Sequence, residues 1–145
     1  MVGYWKDPDQ TAKAFVDGWL RSGDVGYLDE DGFVYVVDRM KDMIISGGEN
    51  IYCTEVENAL SSHSAVQACA VVALPDERWG ERVHAVVVLK PEAMTTGEEL
   101  DAHCRALIAG YKVPRSYDFT QTLPLSGVGK VQKKALRDQY LAKKS

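Results

Sequence analysis

Four short stretches of the sequence carry residues that could do chemistry, beside backbone that could approach a ligand. The longest, residues 38–51, opens with four charged side chains among five, turns apolar, and then breaks at Gly47 and Gly48. Adjacent glycines interrupt side-chain packing, so a turn is predicted there, and they also let a backbone come close to a bound molecule. The local pattern is typical both of a structural turn and of a ligand loop.

Two ionic side chains suit the recognition of a nucleotide. Asp24 follows a glycine, and a carboxylate can accept two hydrogen bonds from the neighbouring hydroxyls of a ribose, although a turn or a helix cap also uses Asp. Arg39 is a fixed cation suited to ribose and phosphate oxygens. The alternative for Arg39 is a surface ion pair with Asp38 or Asp42, which would contribute little to stability.

Lys130 and Trp79 are the other two candidates. Lys130 ends a Gly-x-Gly-Lys sequence ahead of a predicted helix, and a lysine placed between two anions offsets their repulsion in a transition state. The alternative is that Lys130 has no catalytic role and forms one solvated basic face with Lys133 and Lys134. Trp79 lies in a polar connection, residues 75–81, where a tryptophan either covers part of the core or belongs to a binding surface.

Composition excludes several classes of protein. The 145 residues are enough for one domain, and 46% hydrophobic with 26% charged residues is ordinary for a globular chain. A net charge of −4 argues against nucleic-acid binding. No apolar run approaches the roughly 20 residues that cross a bilayer, and no signal peptide is visible, so a cytoplasmic protein is expected. The cysteines, odd in number and widely spaced, indicate reduced thiols and no metal site: Cys53, Cys69 and Cys104.

Hydrophobic periodicity predicts alternating short helices and strands. A short helix is expected over 9–16, two strands around the turn 29–32, and a helix capped by Thr54 and Glu57 that ends near 61. The apolar run 66–74 predicts a strand covered on both faces.

The C-terminal half continues this alternation. A strand is expected over 82–89, then a helix capped by Thr96 and Glu99, a strand over 117–120 and a last helix over 132–142. In the first of these helices Tyr111 is expected to share the buried face, and in the last helix Leu141 is expected to face inward. The prediction is an α+β or α/β domain, a small mixed sheet with helices packed on it.

Three of the stretches, in order, carry a family resemblance. Residues 18–24, residues 38–51 and residues 127–130 resemble the last three core motifs of the AMP-forming adenylate synthetases, the superfamily of acyl-CoA synthetases, aryl-CoA ligases, luciferases and peptide-synthetase adenylation domains. The resemblance runs from Val2 to about Leu141. It implies that residues 1–40 are the β-hairpin tail of a large N-terminal domain and that residues 41–145 are the mobile C-terminal domain.

The resemblance assigns a role to each candidate residue in the first two motifs. Asp24, in Ser-Gly-Asp where the family has Thr-Gly-Asp, would hold the ribose of ATP, and Arg39 would contact the nucleotide. Lys41 would be the hinge about which the domain turns. Gly47 and Gly48 would meet the pantetheine arm of coenzyme A.

The later stretches complete the expected site. Trp79 would lie beside coenzyme A, and Lys130 would contact the nucleotide and catalyse adenylation. The sequence departs from the family at Cys53, where a proline is common, and this departure is expected to loosen the start of the following helix.

The function implied is that of an ATP-dependent acyl-CoA synthetase acting on fatty acids, of which these residues form the C-terminal portion. Cofactors would be ATP, coenzyme A and Mg²⁺, the metal being held by the N-terminal domain. Alternatives are an aryl-CoA ligase, a carrier-protein adenylation domain and, more distantly, a non-catalytic binding module. The family's Gly-, Ser- and Thr-rich phosphate loop does not occur in the sequence, so the chain alone is expected to be inactive, and residues 1–40 are expected to pair with the N-terminal domain or a second copy.

Overall fold

The computed structural model describes residues 1–142, which divide into two compact units between Lys41 and Asp42. The elements of the first unit are α1 (Pro8–Ala14), β1 (Phe15–Val16), β2 (Trp19–Leu20), β3 (Asp24–Leu28) and β4 (Val34–Arg39). A 3₁₀ turn, Met40–Asp42, follows β4 and contains the boundary. Among the described residues, no helix is both long and apolar enough to span a membrane.

The first unit is built from a capped helix and two hairpins. Helix α1 begins where the Asp7 carboxylate accepts the backbone N–H of Gln10, and it is shorter than expected because Phe15 already belongs to β1. Strands β3 and β4 pair antiparallel around a turn in which Gly32 has φ +85°, which confirms the predicted hairpin. Asp38 is the one buried residue that the structure describes in this unit.

The second unit contains the larger sheet. Its elements are β5 (Ile44–Ser46), β6 (Glu49–Ile51), α2 (Cys53–Ser61), β7 (Val66–Asp76), β8 (Gly80–Leu89), α3 (Gly97–Leu107), a 3₁₀ turn (Gly110–Lys112), β9 (Ser116–Phe119) and α4 (Lys133–Ala142). Strand order is β6-β5-β8-β7, all antiparallel, and β9 joins β8 in parallel. The sheet is therefore mixed, and the predicted α+β class is confirmed.

Both faces of β7 are buried, as its apolar run predicted, and so are both faces of β8. Alternate residues such as Val71 and Val87 pack with α2 and α3 in one cluster. The intervening residues, such as Val72 and Val86, pack with Leu136 of α4 in another. Because side chains alternate across a strand, α4 covers the sheet face opposite to α2 and α3.

The two predicted capping boxes have different outcomes. At α3 the box is confirmed, since Thr96 Oγ1 accepts the N–H of Glu99 and the Glu99 carboxylate accepts the N–H of Thr96. At α2 the prediction is wrong, because the helix starts at Cys53 and its N-cap, Tyr52, makes no side-chain capping bond. Glu57 instead accepts the backbone N–H of Val71 on β7.

Two predicted inward positions are also wrong. Helix α3 ends at Leu107, so Tyr111 falls in the following 3₁₀ turn and is exposed. In α4 Leu136 is buried but Leu141 is 37% exposed, because side chains five residues apart on a helix point about 140° apart. Lys143 and Lys144, which follow this helix in the sequence, lie outside the described residues.

Candidate functional site

Gly47 and Gly48 form the two-residue turn of the β5–β6 hairpin. Their φ angles are +61° and +86°, and Ser46 pairs with Glu49 across the turn. A two-residue hairpin whose central residues both have positive φ follows the right-handed twist of its strands, and glycine adopts such angles without strain. The predicted turn is confirmed, and its backbone conformation alone accounts for two glycines.

Gly47 has a second reason to lack a side chain, and that reason is Trp79. The N–H of Gly47 donates to the carbonyl oxygen of Trp79 at 2.9 Å. A Cβ on Gly47 would lie 2.7 Å from Cε3 of the Trp79 ring, whereas a Cβ on Gly48 would meet nothing within 4 Å. Pairing of Ser46 with Gly80 holds the hairpin beside the start of β8. Three of the predicted site residues, 47, 48 and 79, are thus brought together.

Two guanidinium groups lie over the Trp79 ring. The Cζ atoms of Arg78 and Arg115 are 4.6 Å and 4.8 Å from its centroid, within range of a cation–π interaction. The Asp76 carboxylate fixes this segment by accepting the N–H groups of Trp79 and Arg78, each at 3.0 Å. These bonds, that of Trp79 foremost, lower the pKa of Asp76. The result is a cationic, aromatic surface beside a bare backbone turn.

Arg115 was missed by the analysis of the sequence. It follows Pro114 in a segment with no glycine or charge motif, and it reaches Trp79 because β9 runs parallel to β8 and its own N–H donates to the Val83 carbonyl at 2.9 Å. Only the strand pairing brings the two side chains together. No local signal in the sequence could have identified it.

Asp24 and Arg39 face each other across the β3–β4 hairpin. They are direct cross-strand partners, with Arg39 Nε 3.6 Å from Asp24 Oδ1. Both side chains remain accessible, at 54% for Arg39 and 30% for Asp24. Asp38, named as an alternative partner, accepts the backbone N–H of Arg39 instead. An exposed pair of this kind contributes little to stability, so both groups can exchange partners with a ligand at small cost.

Lys41 is exposed and occupies the middle of the 3₁₀ turn between β4 and β5. It is the last residue of the first unit. Beyond the boundary, Cys53 is fully buried and its Sγ donates to the carbonyl oxygen of Asp42 at 2.8 Å. The expectation that Cys53 loosens the start of α2 is therefore wrong, because this contact ties that start to the first residue of the second unit.

Lys130 lies in a tight loop whose backbone is held by Ser126. The Ser126 carbonyl accepts the N–H of Gly129 at 2.8 Å, the Ser126 N–H donates to the Lys130 carbonyl at 2.7 Å, and its Oγ accepts the Lys130 N–H at 3.1 Å. A bridge between Leu125 and Val131 closes the loop. The Lys130 side chain is exposed.

The three lysines of this region do not share one environment. The Nζ of Lys133 lies 2.8 Å from Glu57 Oε1, with both side chains mostly buried, whereas Lys130 and Lys134 are exposed. The interpretation of all three as a single solvated face is wrong at Lys133.

The glycine hairpin and the Lys130 loop adjoin different hydrophobic clusters of the second unit. The strands that flank the hairpin contribute Ile44 and Ile51 to the cluster shared with α2 and α3. Next to Lys130, Val131 packs on the cluster beneath α4. The second unit therefore presents two separate candidate surfaces.

An open cleft of about 600 Å³ lies between α3 and β9. It is lined by Asp101, Arg105, Arg115 and Tyr117 among others, and its lining includes none of the site residues that were predicted from the sequence. Within residues 1–142 no group of three or more His, Cys, Asp or Glu side chains is placed to hold a metal ion.

Several known proteins resemble this chain. Feruloyl-CoA synthase from Amycolatopsis sp is 53% identical over 97% of the chain and 28% of its own length. A long-chain-fatty-acid–CoA ligase from Bacillus subtilis (strain 168) is 50% identical over 96% of the chain and 25% of its own length. ScoC, a fatty acid–[acyl-carrier-protein] ligase from Streptomyces coeruleorubidus, is 45% identical over 97% of the chain and 27% of its own length.

Solved structures show the same relationship. O-succinylbenzoate-CoA synthetase (MenE) from Bacillus subtilis, in complex with the acyl-adenylate OSB-AMP, superposes with a TM-score of 0.88 at 40% identity, over 94% of this chain and 28% of its own. The chain thus spans about a quarter of the length of the proteins it matches. The model of the AMP-binding enzyme C-terminal domain matches residues 55–130, which include Trp79, Arg115 and Lys130, and the chain therefore belongs to that family.

Proposed function

We propose that this chain supplies the mobile C-terminal part of an AMP-forming CoA ligase, in which one small domain serves two successive half-reactions with two different surfaces. The surface formed by Gly47, Gly48 and Trp79 takes coenzyme A. The loop that carries Lys130 takes part in adenylation. The intact protein, with its acyl pocket and phosphate loop in a preceding domain, would be the active ligase.

The observation that carries the proposal is the packing of Trp79 on Gly47. The two residues are far apart in sequence, yet a Cβ on Gly47 would come within 2.7 Å of the ring. The room for a narrow chain such as pantetheine is at the neighbouring Gly48, where a Cβ would meet nothing within 4 Å. The guanidinium groups of Arg78 and Arg115 over the same ring suit the phosphates of coenzyme A. The residues present thus fit this substrate.

In the first half-reaction, a substrate carboxylate oxygen attacks the α-phosphorus of ATP, and the bond to the β-phosphate oxygen breaks to release pyrophosphate. Lys130, exposed on its loop, would lie between the carboxylate and the α-phosphate and stabilise the charge of the transition state. Asp24 would accept hydrogen bonds from the ribose hydroxyls, and Arg39 beside it would contact the nucleotide. Their accessible side chains fit this role.

In the second half-reaction, the thiol of coenzyme A gives up its proton and its sulfur attacks the acyl carbon, so that AMP leaves as the thioester forms. Lys41 would be the hinge that exchanges the two surfaces, as a residue between two units can absorb a change in φ and ψ. Its position at the boundary of the two compact units supports this assignment.

Residues 1–40 would be the tail of the large N-terminal domain. The described apolar residues of this segment are largely exposed, with Phe33 at 67%, Val34 at 69% and Leu28 at 68%. A hairpin with such a surface gains stability when another apolar surface covers it. The N-terminal domain of the same protein is the proposed partner, and a second copy of the chain is the alternative.

For the substrate we propose a fatty acid, since relatives at 50% and 45% identity are named as fatty-acid ligases. An aromatic acid is the second candidate because feruloyl-CoA synthase is 53% identical. The similarity to ScoC, which is named as an acyl-carrier-protein ligase, supports a carrier protein as the alternative acceptor of the acyl group. Mg²⁺ would accompany ATP on the N-terminal domain, where it would neutralise phosphate charge, and the protein would act in the cytoplasm.

The test uses the intact protein with ATP and a panel of fatty and aromatic acids. Release of pyrophosphate without an acceptor, followed by thioester formation only when coenzyme A is added, is the expected result. Transfer to a phosphopantetheine carrier protein but not to free coenzyme A would identify the alternative acceptor. If no acid leads to release of pyrophosphate, the proposed enzymatic activity is contradicted. The remaining alternative is then a non-catalytic binding module.

A further inference from the structure

Lys133 occupies a position that local sequence chemistry does not favour. It is the first residue of α4, and the first turn of this helix contains no acidic side chain. A cation at a helix N-terminus opposes the helix dipole. Yet the Lys133 side chain is only 21% exposed. The charge must therefore be stabilised by a group outside the helix.

That group is the Glu57 carboxylate on α2. Glu57 Oε1 lies 2.8 Å from Lys133 Nζ and also accepts the N–H of Val71 at 2.8 Å. Strand β7 is last in the sheet order, so the Val71 N–H points to an edge with no neighbouring strand. Glu57 reaches across that edge from the face covered by α2, and Lys133 reaches it from the face covered by α4. The Glu57–Lys133 ion pair, called the clamp below, therefore links α2 on one face of the sheet to α4 on the other.

The clamp lies three residues from Lys130. Between them, Val131 packs on the cluster beneath α4, and Gln132 donates its N–H to the Pro124 carbonyl at 2.8 Å. Three residues span at most about 11 Å of chain, so fixing Lys133 restricts where the loop can carry the Lys130 side chain. Ser126 fixes the shape of the loop, and the clamp fixes its place on the domain.

We propose that Glu57, acting through Lys133, is a positioning residue for Lys130 in the adenylation half-reaction. The inference rests on the proposed function of Lys130 and adds a role for two residues outside the predicted site. Displacement of a catalytic group by about 1 Å can cost on the order of a hundredfold in rate. Loss of one anchor among several should therefore cost about tenfold.

The experiment compares Glu57→Gln, Lys133→Met and Lys133→Arg in the intact ligase. Glu57→Gln keeps an oxygen acceptor for the Val71 N–H and removes only the charge. Lys134→Met is the matched control, since it removes an equal charge from the exposed neighbouring position. The rate of acyl-adenylate formation is measured in a single turnover, and thiolation is measured separately with supplied acyl-adenylate.

Glu57→Gln and Lys133→Met should each slow acyl-adenylate formation about tenfold and leave thiolation unchanged. Lys133→Arg should restore most of the rate, and Lys134→Met should have no effect. In a Lys130→Ala background neither clamp variant should cause a further loss, because the residue through which they act is gone. A further tenfold loss in that background, or an equal effect of Lys134→Met, would overturn the inference.

A second measurement separates this inference from the proposed function. Amide hydrogen exchange is followed for Gly129, Lys130 and Gln132, whose N–H groups hold the loop. Glu57→Gln and Lys133→Met should accelerate this exchange several-fold, and Lys134→Met should not. If Lys130→Ala leaves adenylation intact, the proposed function fails while accelerated exchange still supports the clamp. Unchanged exchange overturns the clamp whatever the kinetics show.

Discussion

Replacement of Gly47 by alanine tests the packing at the candidate coenzyme A surface, and Gly48 provides a matched control. Both glycines have positive φ, +61° and +86°, so a Cβ strains the backbone at either position. Only at Gly47 would the new Cβ meet a neighbour, the Trp79 ring at 2.7 Å. The difference between the two variants therefore isolates the contact with Trp79.

The two costs can be estimated separately. A left-handed conformation costs a non-glycine residue about 1–2 kcal/mol, and this should be the whole effect of Gly48→Ala. Overpacking against a neighbour that must move costs about 1–3 kcal/mol more. Gly47→Ala should therefore lower the free energy of unfolding by roughly 2–5 kcal/mol. The Gly47 variant should be the less stable of the two by roughly 1–3 kcal/mol.

The assay is equilibrium unfolding in urea, with the midpoint read at constant slope. A second pair of variants repeats both alanine substitutions in a Trp79→Ala background. There the ring is absent, so Gly47→Ala should cost no more than Gly48→Ala. Equal costs of the two glycine variants in the wild-type background would refute the reasoning, as would a difference that persists without Trp79.

Three other results are expected. Hydrogen bonds from the N–H of Thr96 and the hydroxyl of Thr95 lower the pKa of Glu99 below 4.5. The stability they supply should be present above pH 4.5 and lost as the pH falls through the folded-state pKa. Urea midpoints between pH 6 and pH 3 should therefore drop less for Glu99→Gln than for the control Glu98→Gln. Burial raises the pKa of Cys104 from 9.0 to about 11. At pH 8 the thiol should therefore be alkylated very slowly in the native protein and fast in the unfolded protein, which mass spectrometry can measure. Rapid alkylation of Cys104 in the native protein would contradict this. Every buried apolar side chain among the described residues lies at or after Ile44. Limited proteolysis should therefore cut first within residues 1–41. Equal resistance to the protease along the whole chain would count against two separate units.

Features with a local cause were predictable from the sequence. The Thr96 and Glu99 capping box, the burial of β7 on both faces, and the glycine turn each follow from residues a few positions apart. Their physical causes are backbone geometry and side-chain periodicity, and both can be recognised in a short window of sequence.

Features that depend on distant partners were not predictable. The same capping pattern fails at Thr54 and Glu57, because the Val71 N–H and the Lys133 ammonium compete for the Glu57 carboxylate. Arg115 reaches Trp79 only through the parallel pairing of β9 with β8. In both cases the partners are brought together by the sheet. The residues themselves contain no sign of the contact.

The central claim is that one domain serves two half-reactions with two surfaces, and half-reaction kinetics of the intact protein test it most directly. Lys130→Ala should slow acyl-adenylate formation by about 10²–10³-fold, as loss of one preorganised charge does, and leave thiolation of supplied acyl-adenylate nearly unchanged. Gly47→Leu, whose side chain would collide with the Trp79 ring and displace it, should do the reverse. Equal impairment of both half-reactions by both variants, or no effect of Lys130→Ala on either, would contradict the account.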